Sequence, residues 1–372
     1  MPGSAGITSR RSVLAAVVAF GPGLLLAQPA ATVTAPAAGA IARSRAIVAD
    51  SMARTLAPGA QIAVSRAGRT VWSESFGCAE LELDVPVARD TRMRIGSVSK
   101  PLTATAVGLL VQEGRLDLDR PVQAYVPDFP KKAWPITTRQ LAGHLAGIRH
   151  YEGDEFRIRD HYATVRAGLA IFENDALLFE PGARFSYSSY GWNLISAVVE
   201  GASGEPFLAF MDRRVFGPAG MAHTAADEPT PIIPGRASFY TRDEKTGAVV
   251  NASYVDNSYK WAGGGFLSTA EDLIAFANAL LEGRLLKPET VRLLWTSQKT
   301  SDGKDTDYGI GWTVDRDSKG RRRVRHSGGA QGGTANLVIY PDERLVVALL
   351  VNSDESFTGR APAIAEVFRD EP

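Results

Sequence analysis

The chain has 372 residues, 45% hydrophobic and 22% charged, with 41 basic and 41 acidic side chains. This balanced globular composition excludes a disordered, collagen-like or disulfide-scaffold protein, and zero net charge argues against nucleic acid as a partner. The length allows one large domain or two lobes around a sizeable core, and the single cysteine, Cys78, excludes an intrachain disulfide.

Residues 1–40 hold no acidic side chain and two charges, Arg10 and Arg11, within Ser9-Arg10-Arg11-Ser12-Val13-Leu14. The apolar stretch that follows, 13–27, is interrupted by Gly21-Pro22-Gly23 and is short for a membrane span. Paired arginines before a short, mildly apolar segment read as a twin-arginine export signal. They predict a periplasmic protein with no stable membrane anchor in its mature form. Two positions satisfy the cleavage pattern, after Ala37 and after Ala40. Loss of residues 1–40 removes both arginines and leaves 39 basic against 41 acidic side chains, a net charge of −2.

In the mature chain, residues 41–56 have helical spacing and end at Pro58-Gly59. Residues 61–64 and 70–76 read as strands around Ala67-Gly68, a hairpin signal. Gly96-Ser97-Val98-Ser99-Lys100 then opens an apolar periodic run to Gln112, stopped by Gly114, which predicts a helix. Pro101 does not break it, because first-turn N–H groups have no helical partner to lose. Residues 116–286 read mostly as helical segments and loops. Strand patterns return at 311–314, 322–326, 335–340 and 345–351, the last two around Pro341-Asp342-Glu343, and a final helix covers 363–368. The predicted fold is α/β (α+β), with one antiparallel sheet built from both chain ends and flanked by helices. A mostly helical insertion at 116–286 then sits inside a domain spanning 41–372.

The familiar catalytic motifs are few. Gly-x-Ser-x-Gly does not occur, the five histidines form no His-Glu-x-x-His or His-x-His pair, and there is no phosphate-cradling glycine loop. No metal or organic cofactor is expected. What remains is Ser97-Val98-Ser99-Lys100. Residues i and i+3 at a helix start share a face, so hydroxyl and amine can meet. A lysine accepts a serine proton only if burial lowers its pKa, and the helix N-terminus favours the oxyanion formed on attack. The second Ser-x-x-Lys, Ser301-Asp302-Gly303-Lys304, lies in a Gly/Asp-rich loop with no helix behind it.

The setting of Ser97 resembles the serine β-lactamase and penicillin-binding protein family, in its class C-like branch of esterases, D-aminopeptidases and β-lactamase-like proteins. The matching stretches are Arg94-Ile95-Gly96-Ser97-Val98-Ser99-Lys100, Glu113-Gly114-Arg115-Leu116-Asp117-Leu118, His144-Leu145-Ala146-Gly147-Ile148, Phe185-Ser186-Tyr187-Ser188-Ser189 and Gly263-Gly264-Gly265-Phe266-Leu267-Ser268-Thr269. Gly147-Ile148-Arg149-His150-Tyr151 and His326-Ser327-Gly328-Gly329 look nearest the mitochondrial serine β-lactamase-like proteins.

The resemblance implies a β-lactamase/transpeptidase-like fold and a serine hydrolase working through an acyl-enzyme. Ser97 would be the nucleophile, and either Lys100 or Tyr187 would take its proton. Tyr187 would act as a phenolate favoured beside a cationic lysine. Backbone N–H groups of Ser97 and Gly329 would form the oxyanion hole. Two departures from the family pattern stand out. Ser189 occupies a position where many members have Asn, and His326-Ser327-Gly328 replaces Lys-Thr-Gly, whose lysine anchors substrate carboxylates. A histidine is mostly neutral at pH 7, which weakens that anchor. The expected substrate is therefore a small-molecule or peptide acyl group, ester or amide, without a strict carboxylate requirement. On this reading His326→Lys would raise activity on carboxylate-bearing substrates.

Beside Ser189, His326, Ser327 and Gly328, the residues expected to line the cleft are His150, Tyr151 and Trp261. His144 is expected as a turn partner, Tyr190 and Trp192 as packing, and Arg321-Arg322-Arg323 with Arg325 as a solvated hairpin. Two alternatives stay open: a D,D-peptidase or β-lactamase on cell-wall-type substrates, and a non-catalytic binding or self-associating, filament-forming protein.

Overall fold

The computed structural model describes residues 35–370; the export-signal segment lies outside the described residues up to Thr34. Apolar runs from the two chain ends meet in one seven-stranded antiparallel sheet. Its order is Val85–Pro86, Arg69–Glu80, Gly59–Arg66, Leu345–Val351, Gly333–Tyr340, Arg322–Ala330 and Thr313–Arg316. The two ends join where Gly59–Arg66 pairs with Leu345–Val351, from Ala60 opposite Val351 to Arg66 opposite Leu345.

Leu345–Val351 is buried at every position, as a central strand covered on both faces must be. Its side chains alternate between two cores. Val347, Leu349 and Val351 pack with Val48, Ile364 and Phe368 from the terminal helices Ala35–Thr55 and Ala361–Asp370. Val346, Ala348 and Leu350 face the larger core, which holds the helices Ser99–Gln112, Ser189–Ser203 and Ala270–Leu281. The helix Ser99–Gln112 is buried from Ser99 to Leu110, so it runs through the interior and has no polar face to mark it in sequence.

Several expected boundaries shift. The first helix starts at Ala35 rather than 41, with Ala40 fully buried in the smaller core. The strand expected at 322–326 continues through Ala330, because Ser327-Gly328-Gly329 pair with Asn336, Ala335 and Thr334 although they carry no apolar signal. The helical insertion also contains short strands: Ala225–Ala226 pairs with Phe266–Ser268, which also takes up Met93–Arg94 from before the insertion, and Tyr240–Arg242 pairs with Val249–Asn251. Strands this short have no readable period. The arginine hairpin is paired rather than simply solvated: Arg323 and Arg325 share Asp315 at 2.7 and 2.8 Å, and Arg321 holds Asp317 at 2.7 Å.

Leu349 is fully buried in the smaller core. Leu349→Ala is expected to cost about 2–5 kcal/mol, read as a lower midpoint in urea unfolding.

Candidate active site

The site forms where the helix Ser99–Gln112 begins. A single 3₁₀ turn, Gly96–Val98, leads into it and leaves Ser97 half-buried at its N-terminal end. Gly96 holds φ +48°, and a Cβ there would lie 2.4 Å from the Gly329 carbonyl oxygen. Gly328 is equally tight, since a Cβ on it would lie 1.9 Å from the Ile95 carbonyl oxygen. Two residues without side chains thus let the strand Arg322–Ala330 press against the serine turn. Ile95 N–H also donates to the Phe266 carbonyl at 3.1 Å, fixing the turn from its other side.

Lys100 is fully buried, and its Nζ reaches three oxygens: Ser97 Oγ at 3.0 Å, Ser189 Oγ at 3.1 Å and the Gly263 carbonyl at 2.7 Å. None of the three carries a charge. Burial, helped by the neighbouring Lys260 charge, holds the Lys100 amine well below the ordinary lysine value. Tyr187 lies close enough to Ser97 and Ser189 for both to favour its charged form, yet burial outweighs them and pushes its phenol up. The expected phenolate is therefore corrected to a neutral phenol: the lysine meant to favour it is itself driven towards the neutral amine, although Nζ lies 4.9 Å from the tyrosine ring.

Two histidines support the Tyr187 loop through backbone bonds. His144 sits at φ +60° and its Nδ1 accepts the Ser188 N–H at 3.1 Å, the turn role expected for it. Its ring stacks 4.2 Å from that of Tyr187. His150 Nδ1 accepts the Ser189 N–H at 3.1 Å. Burial lowers the His150 pKa to about 4, so the ring is neutral at pH 7 with its proton on Nε2.

The pocket around this cluster is lined by Ser97, His150, Tyr151, Tyr187, Ser189 and Gly329 among the expected residues. Five others complete it without having been singled out for the site: Phe156, Lys260, Gly263, Gly264 and Ala330. Lys260 carries no periodic signal in Ser258-Tyr259-Lys260-Trp261, and only its lysine chemistry amid aromatics could have marked it. A larger cleft, lined by Arg94, Asp227 and Arg236 among others, has no lysine or histidine in its lining.

Trp261, His326, Ser327 and Gly328, expected to touch substrate, are not among the residues lining this pocket. Trp261 packs into the core, because the following glycines turn the chain back over its ring. His326 is buried, with Nδ1 2.6 Å from the Ser327 carbonyl and Nε2 2.8 Å from Tyr308 Oη. A carbonyl only accepts, so Nδ1 carries the proton and Nε2 accepts from the phenol. Burial lowers the His326 pKa to about 3, which keeps that ring neutral. Gly328 is spent on packing against Ile95, and Ser327 is exposed outside the pocket lining.

The beta-lactamase family model matches residues 45–369. The chain belongs to the beta-lactamase family. It is a serine hydrolase of the β-lactamase-related kind. It is 35% identical to the Homo sapiens mitochondrial serine beta-lactamase-like protein LACTB, over 77% of this chain and 69% of the relative. The octameric penicillin-binding protein homologue from Pyrococcus abyssi matches with TM-score 0.77 and 26% identity, covering 88% of this chain and 77% of that one. A D-stereospecific amidohydrolase from Streptomyces matches with TM-score 0.72 and 26% identity, covering 88% and 98%.

The buried position of His326 replaces the expectation for its lysine variant. His326→Lys would bury an ammonium against Tyr308 and lose the Tyr308 bond. The expected result is a loss of about 3 kcal/mol of stability, seen as a lower Tm, with no gain on carboxylate substrates.

Proposed function

We propose that this β-lactamase-family member is an exported serine hydrolase that cleaves an ester or amide bond through an acyl-enzyme on Ser97. One observation carries the reading: a fully buried Lys100 amine with Ser97 Oγ at 3.0 Å and, among the described residues, no carboxylate bonded to it. A neutral amine has two N–H donors and one lone pair. The Gly263 carbonyl and Ser189 Oγ take the donors, which leaves the lone pair for the Ser97 hydroxyl. Lys100 is then the base that takes the serine proton as Oγ attacks the substrate carbonyl.

Negative charge gathers on the carbonyl oxygen during attack. The backbone N–H groups of Ser97 and Gly329, both at the pocket wall, are the donors assigned to it, assisted by the N-terminal end of the serine helix. Tyr187, a phenol that burial keeps neutral beside Ser97, hands a proton to the leaving group and draws it back from Lys100. Water then attacks the acyl-enzyme along the same proton path and releases the acid.

Cell-wall D,D-peptidase or β-lactamase activity in the family's usual form is disfavoured because the position of the carboxylate-anchoring lysine is a buried histidine bonded to Tyr308, so any substrate carboxylate has to be held from another element. The likeness to the D-stereospecific amidohydrolase supports amides beside esters as substrates. The export reading rests on Arg10-Arg11 and the short apolar segment after them. Cleavage after Ala37 is the position that leaves Ala40 in its core.

Exposure to a fluorophosphonate should add one adduct to the wild type and none to Ser97→Ala by intact mass; an unlabelled wild type contradicts the mechanism. Lys100→Met should lower turnover of a p-nitrophenyl ester by about 10²–10⁴-fold. Activity should fall as pH drops and Lys100 gains its proton, with this limb well below 10.5. A limb near the ordinary lysine value would contradict the assignment of Lys100 as base.

A further inference from the structure

Lys260 is a second buried lysine at the same pocket, and the acyl-enzyme scheme gives it no task. It ends the 3₁₀ turn Ser258–Lys260, is 2% exposed and lines the pocket with Ser97. Its Nζ donates to the Phe156 carbonyl at 3.2 Å and sits 4.5 Å from the Phe156 ring and 4.9 Å from the Tyr259 ring. Among the described residues its hydrogen bond thus goes to a carbonyl and not to a carboxylate.

The carboxylate that acts on it electrostatically, Asp227, is already taken. Arg94 Nε holds Asp227 at 2.6 Å, Asn257 Nδ2 at 2.7 Å and Arg236 at 3.4 Å. Burial and the Arg94 charge lower the Lys260 pKa to about 7 against the smaller opposing pull of Asp227. An anion brought alongside would favour the charged form.

The rest of the pocket has the same polarity. No Asp or Glu is among its described lining residues, so a substrate ammonium would find no counter-charge there. His150, on the same wall, is locked with its acceptor nitrogen on the Ser189 N–H, which leaves Nε2–H as a donor. A pocket with a lysine amine that gains its charge beside an anion, a neutral imidazole donor and no acid in its lining fits an anion.

We propose that Lys260 and His150 form a carboxylate-accepting subsite beside Ser97, so that the enzyme prefers acyl substrates bearing an anionic group near the scissile carbonyl. This rests on the Ser97 acyl-enzyme reading above. It also reverses the sequence-based expectation that carboxylate recognition is weak here: the anchor is supplied from the turn before Gly263-Gly264-Gly265 rather than from the strand that carries His326.

The test uses two matched fluorophosphonates, one with an alkyl tail ending in carboxylate and the other ending in methyl. The readout is the rate of Ser97 adduct formation by intact mass. The wild type should react about tenfold faster with the carboxylate probe, the scale of one hydrogen bond to a charged group. Lys260→Met, neutral and of similar length, should bring that ratio to about one. Equal rates in the wild type overturn the subsite and leave the acyl-enzyme reading standing. A Lys260→Met enzyme that slows on both probes alike and keeps the preference also overturns it, because Lys260 then acts only by lowering the Lys100 pKa. No adduct with either probe overturns both readings. Should the variant fail to fold, the wild-type ratio alone decides.

Discussion

A lysine amine held without counter-ion beside a serine hydroxyl is the constraint on which this structure turns. Taking an ammonium out of water is expensive unless a charge or a dense set of acceptors receives it, and the cheaper outcome is loss of the proton. Around Lys100 the fold supplies uncharged oxygens only, from Ser97, Ser189 and Gly263. That set is enough to satisfy an amine and too weak to hold an ammonium. The same burial that lowers the Lys100 pKa raises that of Tyr187, which favours a neutral amine beside a neutral phenol.

Keeping the cluster dry requires that distant parts of the chain close over it. The serine helix runs through the interior with no polar face, the loop at Gly263 caps it, and the strand Arg322–Ala330 lies along its first turn. Close approach is possible because Gly96 and Gly328 present bare backbone where any side chain would collide with a carbonyl. His144 and His150 then bind successive backbone N–H groups of Ser188 and Ser189, which fixes the Tyr187 loop through neutral imidazoles. Both histidines hold this loop through Nδ1, and neither is hydrogen-bonded to Ser97.

Some of this was legible in the residues. Spacing of three at a helix start put Ser97 and Lys100 on one face, and the structure has them bonded. Family resemblance brought Tyr187 and Ser189 to them from a remote segment, and His150 with Tyr151 was placed at the cleft. His326 and Trp261 were misplaced for one reason. A motif position says which residue follows which, while the direction of a side chain depends on partners such as Tyr308 and on the folding-back of Gly263-Gly264-Gly265, which leave no trace in periodicity. Lys260 went unnoticed because a single lysine between aromatics looks like an ordinary surface residue until the fold buries it.

By itself, then, the sequence determined local and linear properties: the hairpins, the apolar central strands, the start of the serine helix and the placing of a serine and a lysine on one face of it. These depend on neighbours within a few residues, where spacing and side-chain type act directly. Only the tertiary structure decided the charge states and the roles that follow from them. Whether Lys100 is an amine, Tyr187 a phenol, His326 a neutral core residue and Lys260 a buried pocket amine depends on desolvation and on partners far along the chain, such as the Gly263 carbonyl that Lys100 meets. Electrostatic free energy in a protein is set by what surrounds a group in space, and that is the quantity a linear pattern does not carry.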